Sequence, residues 1–247
     1  MTEIACSSFT SAMGHPRDLE RADRDACFEL LARHFDGVCR EQFERDLADK
    51  NVVLTIRNGD RRLVGFSTML VYETKLAGHG PVSVVCSGDT IVDPSAWSSP
   101  VLPREWIAAV NRLRRAYPNG PYYWLLITSG FRTYRLLSTF WRTFYPRHDQ
   151  STPPEQQSLL DALAAQRFGE HFDRAAGVVR FDRPQVLKPH LAGIAPQRLA
   201  DAHVAFFAAK NTGHARGDEL TCLYELGEHN LTRAGQRMIF GPEARGL

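Results

Sequence analysis

The sequence predicts an α/β fold, with a mixed, mostly antiparallel central sheet and helices on both faces. Three observations predict it. Residues 51–57 (NVVLTIR) and 63–72 (LVGFSTMLVY) are runs rich in strand-forming residues on either side of Asn58-Gly59-Asp60, the pattern of a β-hairpin. A helical stretch at 102–117 separates two apolar strands, the order of a right-handed parallel crossover. Tyr122–Thr128 (YYWLLIT) is apolar without alternation, as expected of a strand covered on both faces.

The elements follow in order. Residues 1–17 form a lead or a first strand near Ile4. At 18–36, Leu19, Ala22, Ala26, Cys27, Leu30, Leu31 and His34 recur at the three- and four-residue spacing of one helix face. A short helix follows at 39–49, with Phe43 and Leu47 one turn apart. In the hairpin, Asn and Gly supply the positive φ that the turn needs. A loop containing Gly78 and Gly80 leads to a strand at 82–92, which Asp93-Pro94 ends. The 102–117 helix carries Trp106, Val110 and Leu113 on one face, and Pro118-Asn119-Gly120-Pro121 breaks it. After YYWLLIT, Ser129-Gly130 turns into a helix at 131–144. A Pro-containing linker at 149–154 precedes a helix at 155–167, a strand near 178–181, a helix near 196–209 and a strand at 219–224. The boundaries are thus a lead at 1–17 and a single domain at 18–247, in which 149–247 elaborates the C-terminal part.

Composition narrows the function. The 247 residues are 43% hydrophobic and 23% charged, with 30 basic against 28 acidic residues. A net charge of +2 gives no reason to expect nucleic acid. The odd number of cysteines, five, with no C-x-x-C pair, argues against a disulfide framework or a structural zinc site. No secretory signal and no apolar run of about 20 residues is visible, so a cytoplasmic protein without a membrane span is expected.

Residues 18–146 resemble the GNAT superfamily of N-acyltransferases. A helix pair precedes a hairpin whose second strand begins LVGFS, with Gly65 where the family commonly places glycine. The next strand ends in Asp89-Thr90-Ile91-Val92-Asp93-Pro94, similar to the family's apolar-Asp-Pro phrase before its cofactor loop, and YYWLLIT followed by a helix matches the family's next two elements. The resemblance implies two central parallel strands that splay apart. A pantetheine arm lies in the gap like an extra strand. The donor diphosphate sits at a helix N-terminus, and an amine attacks the thioester with help from a general base. The co-substrate it implies is acyl-CoA or acyl-phosphopantetheine, with no metal. The implied partners are a small-molecule acceptor and, where the donor is protein-borne, an acyl carrier protein, and the chain acts as a monomer or homodimer.

The resemblance also assigns candidate residues. Ile91, Val92, Trp97, Ser98, Ser99 and Arg104 would meet the donor. The loop from Ala96 to Arg104 has no glycine where the family has several, a departure that suits a carrier-borne or longer acyl donor, which needs less of the diphosphate cradle. Trp97, Ser98 and Ser99 also fit an ordinary helix start. Asp89 is a candidate base or amine anchor, while Asp93 reads as a turn cap. Glu73 is a second base candidate or a solvated strand end, and His79 is a loop histidine of suitable pKa. Tyr134 would protonate the leaving thiolate. Phe140, Trp141, Phe144 and Tyr145 form either core or an acyl pocket. In the polar loop 211–219, His214 and Asp218 could act as a base and its orienting partner, and Cys222 beyond them as a nucleophile or as inert packing. The rival functions are a non-catalytic GNAT-shaped binding module and an enzyme like the N-acyl amino acid or acyl-homoserine lactone synthases.

Overall fold

The computed structural model describes residues 9–97 and 99–240. Ile4 and Ser98 lie outside the described residues. Ten strands and eight helices follow one another: β1 Thr10–Gly14, α1 Arg21–His34, β2 Phe35–Asp36, α2 Arg40–Ala48, β3 Val52–Arg57, β4 Leu63–Leu76, β5 Gly80–Val92, α3 Val101–Leu113, β6 Tyr122–Thr128, α4 Phe131–Phe140, α5 Pro154–Phe168, β7 Phe172–Asp173, β8 Val178–Val179, β9 Val186–Leu187, α6 Pro189–Ala192, α7 Ala202–Lys210, β10 Glu219–Glu225 and α8 Arg233–Phe240.

Eight strands form one sheet in the order β1-β3-β4-β5-β6-β10-β8-β7. Every neighbouring pair is antiparallel except β5–β6, which is parallel. Alternation along the strands divides the core between the two faces. Val85, Trp124, Cys222 and Tyr224 pack with α3, α4 and α7 on one face. Val84, Cys86, Leu125 and Leu223 pack against α5 on the other, where α1 and α2 cover Phe66 and Ile91.

The hairpin turns differently from expectation. Arg61, not Gly59, carries the positive φ, at 62°. The Asn58 side chain accepts from the Arg62 N–H and closes the loop, so the strain falls one residue past the Asp. The helix expected at 196–209 is broken at Asp201, whose carboxylate accepts from the N–H groups of His203 and Val204 and starts α7 afresh. The helix expected to reach 144 ends at Phe140. The pair β2–β9 had no signal in the sequence; it joins Phe35 to Leu187 and draws the C-terminal part onto the end of α1.

One buried side chain stitches the C-terminal segment to the turn after α4. Asn230 donates to the carbonyls of Thr143 and Glu225, each at 2.9 Å, and accepts from the Thr143 N–H at 2.8 Å. Asn230→Ala leaves those groups unpaired and is expected to cost about 2 kcal/mol. That lowers the melting temperature by about 4–8 °C, as calorimetry would show.

Candidate functional site

Among the described residues, the one parallel pair in the sheet is also its weak seam. β5 and β6 are in register over just four residue pairs, from Ser83↔Tyr122 to Cys86↔Leu125. Beyond them β5 runs on to Val92 and β6 to Thr128 without pairing to each other. β4 holds β5 on the outer side and β10 holds β6, so each strand is pulled toward its own half of the sheet. Where they part, β5 carries an extra residue: Ser67 pairs with Thr90 and Met69 with Ser87, which leaves Gly88 and Asp89 opposite Thr68 alone. Such bulges re-aim side chains and interrupt pairing. A Cβ at Gly88 would lie 2.6 Å from Thr68 Oγ1 and 2.7 Å from Lys50 Cε, so a larger residue there would displace both side chains.

The split opens into a cavity of about 1020 Å³. It passes between the strands and has a different character on each face of the sheet. On the face of α2 and α5 the lining is charged, with Asp46, Lys50, Asp89, Arg167 and Glu219. On the face of α3 and α4 it is apolar, with Leu102, Trp106, Trp124, Leu136, Phe140 and Trp141.

Two carboxylates flank the split on the charged face, Asp89 on β5 and Glu219 at the start of β10. Burial, then the nearby charge of Asp46, raise the Asp89 carboxyl to about 6, against the pull of Lys50. Burial, then the charge of Asp89, raise Glu219 to about 8. Burial thus favours the protonated form of both carboxyls, of Glu219 more than of Asp89. Lys50 is itself fixed, donating to the Asp46 carbonyl at 3.2 Å and to Asp49 at 3.1 Å. Arg167 on α5 also pairs with Asp49 on this side.

At the open end of the split lie the N-termini of α3 and α4. Neither has a side-chain cap at its N-cap residue, Pro100 or Gly130. Ser99 accepts from the Val101 N–H at 3.2 Å, as an ordinary helix start does. Trp97 is half exposed at the rim, with its indole N–H on the Val92 carbonyl at 2.8 Å. The Arg132 guanidinium lies 5.1 Å from the Trp97 ring and donates to the Leu191 carbonyl. Arg132 occupies the first turn of α4, where a cation opposes the helix dipole. Burial and neighbouring Arg198 both lower its pKa. A bound anion there would relieve both.

Of the residues singled out in the sequence, the structure brings Asp89, Ile91, Val92, Trp97 and Ser99 to the cavity wall, with Phe140 and Trp141. Others lie elsewhere. Glu73 binds the Asn119 side chain at 2.8 Å at the far end of β4. Arg104 points to its neighbour Glu105 at 3.0 Å. The Tyr134 hydroxyl donates to the Pro146 carbonyl at 2.9 Å, and burial raises its pKa. His79 meets Ser158, and Asp93 caps the turn by accepting from the Ser95 N–H while pairing with Arg33. His214 and Asp218 do not pair: Asp218 binds Arg180, and His214 Nδ1 has no partner among the described residues. Cys222 is fully buried, and burial pushes its thiol pKa up, as in inert packing.

A mostly antiparallel sheet with one central parallel pair that splits is what the resemblance to the GNAT superfamily implies. No protein-family model matches the chain, and no curated protein matches it at a significant level. Similar solved structures include an IAA acetyltransferase from Bacillus cereus, at 8% identity over 88% of this chain and 99% of that one, with a TM-score of 0.41. A probable N-acyltransferase from Enterococcus faecalis is 10% identical over 88% of this chain and 66% of that one, at 0.41. An acetyltransferase from Trypanosoma brucei is 17% identical over 59% of this chain and 98% of that one, at 0.38.

Proposed function

We propose that the chain is an N-acyltransferase that moves an acyl group from a pantetheine thioester to a small polar amine. The observation that carries this reading is the split between β5 and β6, which leaves the facing edges of Asp89–Val92 and Leu126–Thr128 without strand partners. An extended amide-bearing arm can pair with such an edge as an added strand would. The donor is acyl-CoA or an acyl carrier protein, since both present the same arm. The helix N-termini at Ser99 and Gly130, with Arg132, would receive its phosphate. A cytoplasmic place of action fits the free thiols of Cys27, Cys39, Cys86 and Cys222.

The acceptor enters from the charged face. Its amine nitrogen bonds to the thioester carbonyl carbon, the carbon–sulfur bond breaks, and the thiolate leaves. Asp89, ionised above about pH 6, takes the ammonium proton. Glu219 keeps its proton up to about pH 8 and can hydrogen-bond to the incoming group. Lys50 and Arg167 offer positive charge to an acidic part of the same acceptor.

Thiol release measured with acetyl- and octanoyl-CoA against a panel of polar amines tests the reading. Absence of release, together with no rise in melting temperature on adding either thioester, would end it.

Glu219→Gln tests the carboxylate pair. A carboxyl whose folded pKa lies above its unfolded value costs stability as pH rises from about 4.3 to the folded value, here about 8. The variant should therefore melt with the native protein at pH 4 and several degrees above it at pH 9, each kcal/mol being worth about 2–4 °C.

A further inference from the structure

We infer that the acyl group transferred is a medium or long apolar chain, seated in the tryptophan-lined half of the cavity; this rests on the acyltransferase reading above. The chain has four tryptophans, and all of them line the one cavity. Trp97 stands at the rim. Trp106 and Trp124 pack with their rings tilted by 32° and centroids 3.9 Å apart, and Trp141 meets Trp124 edge-on at 5.6 Å. These three are nearly buried from solvent yet border open space. The Trp124 indole N–H is satisfied by Ser87 Oγ at 2.8 Å, so what Trp124 offers the cavity is ring surface.

Three directions leave the bulge at Gly88–Asp89. The open end of the split, between Trp97 and Arg132, suits the phosphate end of the donor. The face bearing Asp89 and Glu219 suits the amine. The remaining direction leads to the apolar side, under α3 and α4, where Trp106, Trp124 and Trp141 line the cavity. A thioester whose carbonyl sits at the bulge has only its acyl tail to send that way. An acetyl group would leave this apolar space unfilled, while each added methylene gains burial.

The test is a titration of the intact chain with straight-chain acyl-CoA thioesters from acetyl to decanoyl, followed by tryptophan emission. Because the four tryptophans all border the cavity, emission responds to a ligand that enters it. The expected result is a gain in affinity of about fourfold per methylene, levelling off once the chamber is full. Leu136→Trp, which narrows the chamber, should lower the ratio of octanoyl to acetyl affinity at least tenfold; Leu136→Phe, a smaller change, should lower it less. Equal affinities across the series overturn the inference, whether or not thiol is released. So does a gradient among straight-chain amines with none among the thioesters, since the chamber would then serve the acceptor. A gradient among the thioesters without thiol release supports the chamber and removes the transfer reading instead.

Discussion

Asp89→Asn is expected to slow acyl transfer by about 10²–10⁴-fold with the fold intact. Asparagine keeps the shape of the side chain and its place at the bulge but cannot take a proton from an ammonium group. The native enzyme should gain rate as pH rises through about 6, where Asp89 ionises, and the variant should lack that limb. A buried carboxylate with a raised pKa costs stability above that pH, so the variant should melt no lower than the native protein at pH 8. Steady-state rates between pH 5 and 8, with melting curves on the same samples, decide the matter. An unchanged rate at pH 7.5 would remove Asp89 from the chemistry and leave the proton to water.

Gly120→Val should act from the opposite end of the seam. Gly120 has φ 66°, a conformation that a β-branched residue reaches only with strain. A Cβ there would also fall 1.9 Å from the Pro81 carbonyl oxygen, against backbone that cannot step aside. The loop around it is tied to β5: the Ser83 hydroxyl donates to the Tyr117 and Asn119 carbonyls, and the Ser83 N–H donates to Pro121. These contacts fix the start of the short parallel register at Ser83↔Tyr122. The substitution should cost about 4 kcal/mol, a drop of about 8–16 °C in melting temperature. Because it moves the base of the split, it should also weaken thioester binding at temperatures where the variant is still folded. A melt and an emission titration at 15 °C measure the two effects separately.

What could be read in the sequence depended on how locally each feature is caused. YYWLLIT is a strand in the structure with the expected limits, because a strand buried on both faces needs only apolar residues in a row. The first two helices were legible from their periods, and the hairpin from its strand-forming runs and its turn residues. The bulge at Gly88–Asp89 was not, since it exists only in relation to Thr68 on another strand. Glu219 was visible as an acid opening an apolar strand. Its role was hidden because its partner Asp89 belongs to a strand far away in the sequence and is brought near it by β6 and β10. The signal at Arg132 was a cation in a first helical turn, a local misfit that hints at an anion. Asp201 carried a cap signal inside a period that otherwise read as one helix.

β10, pairing beyond β6, divides the labour of the chain. On the proposed reading, the thioester half would be built from β4, β5, α3, β6 and α4. The opposite wall is borrowed from later segments: Arg167 at the end of α5, Leu187 on β9 and Glu219 on β10. On that reading, substitutions in those later segments would retune which amine is accepted and leave the strands proposed to meet the donor as they are. A lineage of such proteins could change its acceptor repeatedly and keep a single way of holding its activated acid.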